Sequence, residues 1–265
     1  MTLTRDEDPS DGPERKSYRI EAVARALSVL ETLGERPDQT LTALASDLGM
    51  TKSIVFRLLQ TLEERGFVQR DSQRATFALG YRMSVLGERV GRNGALLQVA
   101  PAIMDALRDK TGENVNLIVR EGLHALALAT REGFHSIRIF AQSGRRGPLY
   151  AGGGSTLLLA FADPAVQERV LAGPLETFTP HTVTHPDKLR EILQRIHTKG
   201  YHVALNDLDD GAFSVAAPIR GVGGDVIASL SLAGASVRLD EARRDSYIEE
   251  VLKSAAEISA KMCFA

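Results

Sequence analysis

Residues 41–60 read LTALASDLGMTKSIVFRLLQ. Leu41, Leu44, Ala45 and Leu48 recur at helical spacing and stop at Gly49. Ile54, Val55, Leu58 and Leu59 resume the same spacing beyond it. Only the stretch Leu48-Gly49-Met50-Thr51 separates the two helices. Gly49 supplies the left-handed backbone conformation that other side chains resist, so the two helices can meet at a steep angle. Thr51 is placed to cap the second helix, because its hydroxyl accepts from the free N–H groups of the first turn. Thr40 or Thr42 is placed to cap the first.

Upstream, Ile20, Val23, Ala24, Leu27, Leu30 and Leu33 form another helical stripe, stopped by Gly34 and Pro37. Downstream, the helix that opens at Thr51 ends at Gly66. Residues 67–70 and 74–79 then read as two strands around the polar turn Asp71-Ser72-Gln73. Helix, helix, tight turn, helix and hairpin make a winged helix-turn-helix over residues 18–80. Residues 1–17, with Pro9, Gly12, Pro13 and clustered acids, read as a tail.

The helix after Thr51 puts Ser53, Phe56, Arg57 and Gln60 on one solvent-facing band, with Lys52 beside them. Arginine can pair bidentately with guanine and glutamine with adenine, whereas lysine and serine hold phosphate. The helix start adds free N–H groups and a partial positive charge. Thr42 and Thr51 join the same contact set, and Arg70 and Arg74 on the hairpin suit phosphate or the minor groove. The bland alternative makes Arg57, Arg65 and Arg70 surface charges paired with Glu63, Glu64 and Asp71. The helix order and the wing favour double-stranded DNA.

Residues 81–98 read as a linker helix weakened by Gly87, Gly91 and Gly94. The remainder, residues 99–265, mixes helices with strands. A helix is expected over 101–110, opening at Pro101. Strands are expected at 115–120, 123–130, 137–140, 201–204, 213–218 and 226–232. Short helices are expected at 155–161 and 164–171, and longer ones at 186–198 and after Asp240. Short connections between strands point to an antiparallel sheet in an α+β domain.

The 265 residues carry 32 Lys and Arg against 34 Asp and Glu, for a net charge of −2, so any nucleic-acid site must be local. A single cysteine, Cys263, excludes an internal disulfide framework. No apolar signal segment or membrane-length run is present, and the expected location is the cytoplasm. Catalytic signatures are missing: there is no HExxH, no Gly-x-Ser-x-Gly elbow and no Walker loop. His181-x-x-x-His185 falls in an extended loop, so no metal is expected. Asp207, Asp209 and Asp210 read as a solvated acidic loop rather than an acid–base pair. No cofactor and no catalytic residue are expected.

Residues 24–68, with TGENVNLIVREG, GPLYAGGGSTLLLAF and KGYHVALNDLDDGAFSVAAPIRGVGGDVIASLSLAG downstream, resemble the IclR family of bacterial transcriptional regulators. The likeness runs from residue 20 to 262. It implies a GAF-like effector domain, a homodimer or dimer of dimers on a pseudo-palindromic operator, and control of a catabolic operon, more commonly by repression. It implies an effector pocket lined by Ile139, Gly153, Gly154, Ala212, Ser214 and Ser231, with Asn116 a further candidate. The glycines before Ser155 read as an anion nest at a helix start. The effector is expected to be a small organic molecule such as a carboxylate or an aromatic acid. The chain departs from the family at Tyr150, Ser155 and Thr156, and an acidic pocket position is Ala204 here. These changes imply a different effector, larger or more apolar. Two other classes compete: an enzyme acting on a small carboxylate or ester, and a constitutive DNA-binding protein without effector.

Overall fold

A computed structural model describes residues 20–88, 91–135 and 143–262, with the side chains of residues 88 and 91–94 left aside. The expected strand at 137–140, Ile139 within it, and Cys263 lie outside the described residues. The chain divides into two compact units, Met1–Val90 and Gly91–Ala265.

In the first unit the elements are α1 (Glu21–Glu35), β1 (Gln39–Thr40), α2 (Leu41–Asp47), α3 (Lys52–Glu64), β2 (Val68–Asp71), β3 (Thr76–Leu79) and α4 (Arg82–Glu88). Thr40, not Thr42, caps α2, its hydroxyl accepting from the Ala43 N–H at 3.2 Å. Gly49 sits at φ 60° in the turn, and Thr51 caps α3 by accepting from the Ile54 N–H at 3.4 Å. Val29, Leu33, Leu44, Val55, Leu59, Val68 and Phe77 form one core from α1, α2, α3 and the wing. The three strands pair antiparallel in the order β1-β3-β2. The amino-terminal half of the α1 stripe departs from expectation. Ile20 is 68% exposed, and Val23 and Leu27 are each 53% exposed. Only the last turns of α1 reach the core.

The second unit begins with α5 (Gly91–Thr111). A helix opening at Pro101 was the expectation; instead Pro101 lies inside α5. An internal proline forfeits a backbone hydrogen bond. Leu96, Ala100, Ile103, Met104 and Leu107 are buried on both sides of it, and their packing carries the helix through.

Among the described residues six antiparallel strands follow: β4 (Asn114–Glu121), β5 (His124–Arg131), β6 (Arg146–Pro148), β7 (His202–Leu205), β8 (Ala212–Arg220) and β9 (Val226–Ala235). Their order is β6-β5-β4-β9-β8-β7. The edge strand β6, reading Arg-Gly-Pro, had no sequence signal. It is three residues long, and proline is tolerated at a sheet edge. Helices α6 (Gly153–Ala160), α7 (Pro164–Leu171), α8 (Pro186–Lys199) and α9 (Glu241–Met262) complete the unit.

Strand alternation fixes what each face of the sheet carries. Val115, Leu117, Val119, Phe213, Val215, Ala217, Leu230 and Leu232 point to one face and pack with Val251, Ala255 and Ile258 of α9. The intervening residues, Asn116, Ala212, Ser214, Ala216, Ser229, Ser231 and Ala233, point to the other. That face, small and polar, meets α6. The close approach explains Gly153 and Gly154. A Cβ on Gly153 would sit 2.6 Å from Ser214 Oγ, and one on Gly154 would sit 2.6 Å from Ile118 Cδ1.

Candidate functional site

Two surfaces carry the residues singled out from the sequence, one in each unit. In the first unit Thr42, Thr51, Lys52, Ser53, Phe56, Arg57, Gln60, Arg70 and Arg74 are all exposed. Val55 and Leu59 point inward, so helical spacing leaves Lys52, Ser53, Phe56, Arg57 and Gln60 outside. Phe56 is 47% exposed on this polar band. The Arg57–Glu63 and Arg70–Asp71 pairings of the bland reading are not made among the described residues. Arg70 instead lies over the Phe77 ring, 5.7 Å from its centroid. Arg74 stands 3.9 Å from Asp71, whose carboxylate also accepts from the N–H groups of Gln73 and Arg74 and shapes the wing tip.

In the second unit the small-residue face of the sheet and the amino end of α6 enclose a cavity of about 320 Å³. Asn116, Gly153, Gly154, Ala212, Ser214 and Ser231 all line it. They come from three strands and one helix, and the β4–β9–β8 register brings them together. Ser214 Oγ and Ser231 Oγ are 2.7 Å apart across the floor. Asn116 accepts from the Thr130 hydroxyl at 3.1 Å. Ser229 donates to the Gly154 carbonyl at 3.0 Å, fixing α6 to the sheet. Ala204 is buried but is not part of the lining.

The cavity also contains residues that the sequence reading missed. Arg145, Arg146, Phe178, Leu208 and Asp209 line it, and so does Asp207. The expectation of a solvated acidic loop fails at Asp207. Its carboxylate accepts from the Gly152 N–H at 2.9 Å, at the start of α6. Burial pushes the Asp207 pKa above the usual carboxylate range, against the pull of backbone N–H groups from Gly152, Asp207 and Leu208. The glycine-rich turn therefore binds an anion supplied by the chain itself. The partner lies 55 residues downstream, so no local pattern announces it.

The segment before α8 holds the Asp207 loop in place. The Thr182 hydroxyl donates to the Asp207 carbonyl at 2.6 Å, and the Thr179 hydroxyl donates to the Asn206 carbonyl. Asn206 itself adopts φ 55°, a left-handed conformation. Tyr150 joins from the other side, its phenol oxygen accepting from the Glu176 N–H at 2.7 Å. Burial raises the Tyr150 pKa. His181 lies in a turn and His185 at the start of α8. Among the described residues no group of three His, Cys, Asp or Glu side chains is placed to hold a metal ion. None of the described helices is long and apolar enough to cross a membrane.

Comparison with known proteins matches residues 22–72 to the IclR helix-turn-helix domain. Residues 90–260 match the bacterial transcriptional regulator IclR C-terminal domain. The chain is 34% identical over 244 residues to the HTH-type transcriptional regulator BhcR of Paracoccus denitrificans, covering 92% of this chain and 88% of that one. It is 30% identical over 244 residues to the HTH-type transcriptional repressor AllR of Escherichia coli, covering 91% and 90%. Among solved structures, an IclR homologue from Microbacterium hydrocarbonoxydans complexed with 4-hydroxybenzoate superposes with a TM-score of 0.80. That match has 28% identity and covers 92% of this chain and all of the other.

Proposed function

The chain belongs to the IclR family of bacterial transcriptional regulators, DNA-binding proteins and not enzymes, and we propose how its residues divide that work. Helix α3 enters the major groove. Arg57 and Gln60 read base edges, Lys52, Ser53, Thr51 and Thr42 hold phosphates, and Arg70 and Arg74 of the wing contact the backbone or minor groove. Two copies present two α3 helices to a pseudo-palindromic site. The exposed Tyr81 just before α4, Val85 and Leu86 of α4 and the exposed half of α1 support self-association, because such apolar surface is costly to leave in water.

A small organic effector occupies the cavity above Ser214 and Ser231 and shifts the protein between states of different DNA affinity. The proposed outcome is release from a catabolic operator that the protein otherwise represses. The observation that carries this reading is the pairing, in one chain, of an exposed basic α3 face with a cavity built from small and polar side chains. That the Microbacterium homologue is complexed with 4-hydroxybenzoate supports an organic effector.

The test is a fluorescence anisotropy titration of the full chain on DNA flanking its own gene, with and without metabolites of the neighbouring enzymes. Sequence-specific binding that one metabolite weakens is the expected result. Ser214→Ala should keep the binding and lose the response. Binding that no metabolite alters would leave a constitutive DNA-binding protein and overturn the effector reading.

A further inference from the structure

Resting on the reading of the cavity as an effector site, we propose that Asp207 selects the effector. The cavity takes a small molecule that presents an O–H or N–H donor to the Asp207 carboxylate, rather than one held by an anionic group at the start of α6.

The start of a helix attracts anions because its first N–H groups are unsatisfied. In this chain Asp207 already takes the Gly152 N–H at 2.9 Å. A ligand carboxylate brought to the same place would meet a like charge. Both arginines of the lining already face a carboxylate, Glu121 from outside the lining and Asp209 from within it. Arg146 lies 2.6 Å from Glu121, and Arg145 lies 3.8 Å from Asp209. Among the described residues no cation pairs with Asp207, which is partly buried. A partly buried carboxylate without a counter-ion favours a ligand group that donates a hydrogen bond to it.

Of the other acceptors in the lining, Asn116 already takes the Thr130 hydroxyl and Asp209 faces Arg145. Ala125, Ala127, Ala212 and Ala233 are apolar. The Ser214–Ser231 pair can rotate its hydroxyls to donate or accept. Asp207 is the fixed acceptor. The Thr179 and Thr182 hydroxyls bind the carbonyls of Asn206 and Asp207, so the loop cannot easily swing the carboxylate aside. Asn206 at φ 55° shows the backbone bent to bring Asp207 there.

Calorimetric titration of the full chain with acids matched except for one donor tests the proposal. The pairs are benzoate with 4-hydroxybenzoate and propionate with β-alanine. Each donor-bearing member should bind about tenfold more tightly than its partner, the scale of one hydrogen bond to a charged group. Asp207→Asn keeps an acceptor for the Gly152 N–H but removes the charge, and the preference should collapse. Equal binding within each pair, a preference that survives in Asp207→Asn, or no binding by any of the four compounds overturns the proposal. Ser231→Leu, which fills the floor, separates the two levels of failure. Binding that persists in Ser231→Leu overturns the cavity reading itself. Binding that Ser231→Leu abolishes, but that ignores the donor, overturns only the role given to Asp207.

Discussion

Leu230 and Ser231 are neighbours in β9, and their side chains enter different worlds. Leu230 is fully buried with Phe213, Val215, Leu232 and the α9 residues Val251 and Ile258. Ser231 is also buried, but it borders the cavity and meets Ser214 across it. The same period-2 alternation along β4, β8 and β9 separates a face of large aliphatic residues from one of alanine, serine and asparagine. The first face holds the unit together by burying apolar area. The second gives up such burial to leave a hollow under α6. The comparison teaches that stability and ligand binding in this unit are divided by strand parity, so adjacent substitutions should have opposite phenotypes.

The largest effect is expected on the aliphatic face. Leu230→Ala should destabilise the protein by roughly 2–5 kcal/mol, through lost transfer energy and the void left behind. Denaturant unfolding measures it, and a cost below about 1 kcal/mol would deny that face its structural role. His202 of β7 sharpens the comparison from the opposite face, since it is paired with Ala216. Burial, with the nearby Arg195 charge, lowers its pKa from 6.5 to about 4. The unfolded chain takes up a proton near pH 6.5 while the folded chain does not. Stability should therefore fall as pH drops from about 6.5 to about 4, by roughly 3 kcal/mol in all, and change little above that window on account of this group. His202→Gln should flatten that part of the pH profile, and an unchanged slope would assign it elsewhere. The smallest stability effect belongs to Ser231→Ala. It removes one hydroxyl beside a cavity where Ser214 can turn to a new partner, and should cost less than about 1 kcal/mol. A cost as large as that of Leu230→Ala would erase the distinction between the faces.

The winged unit was legible because its signals are local. Gly49 and Thr51 mark the turn, and the apolar spacing of α3 sets which side faces outward. The spans of β4, β8 and β9 were legible for the same reason, although their division into two faces was not read from the sequence. Three features were not, each for a physical cause. Pro101 sits inside α5 because long-range packing outweighs one missing hydrogen bond. The exposed start of α1 has the spacing of a core stripe, and sequence spacing does not reveal what covers it. Asp207 lies among other acids in a loop, and its place is set by Gly152 and by Thr179 and Thr182, all distant in the chain. The family resemblance supplied Ser214, Ser231 and the glycines, but not Asp207.

The central claim is that α3 reads a DNA sequence. Selection from a random duplex pool by the full-length protein tests it most directly, repeated with Arg57→Ala. The account predicts enrichment of a site with two related half-sites. In the variant, affinity should fall by about 1–3 kcal/mol, with base preference relaxed at one position in each half. Failure to enrich any sequence, or an identical motif and affinity from Arg57→Ala, would contradict it.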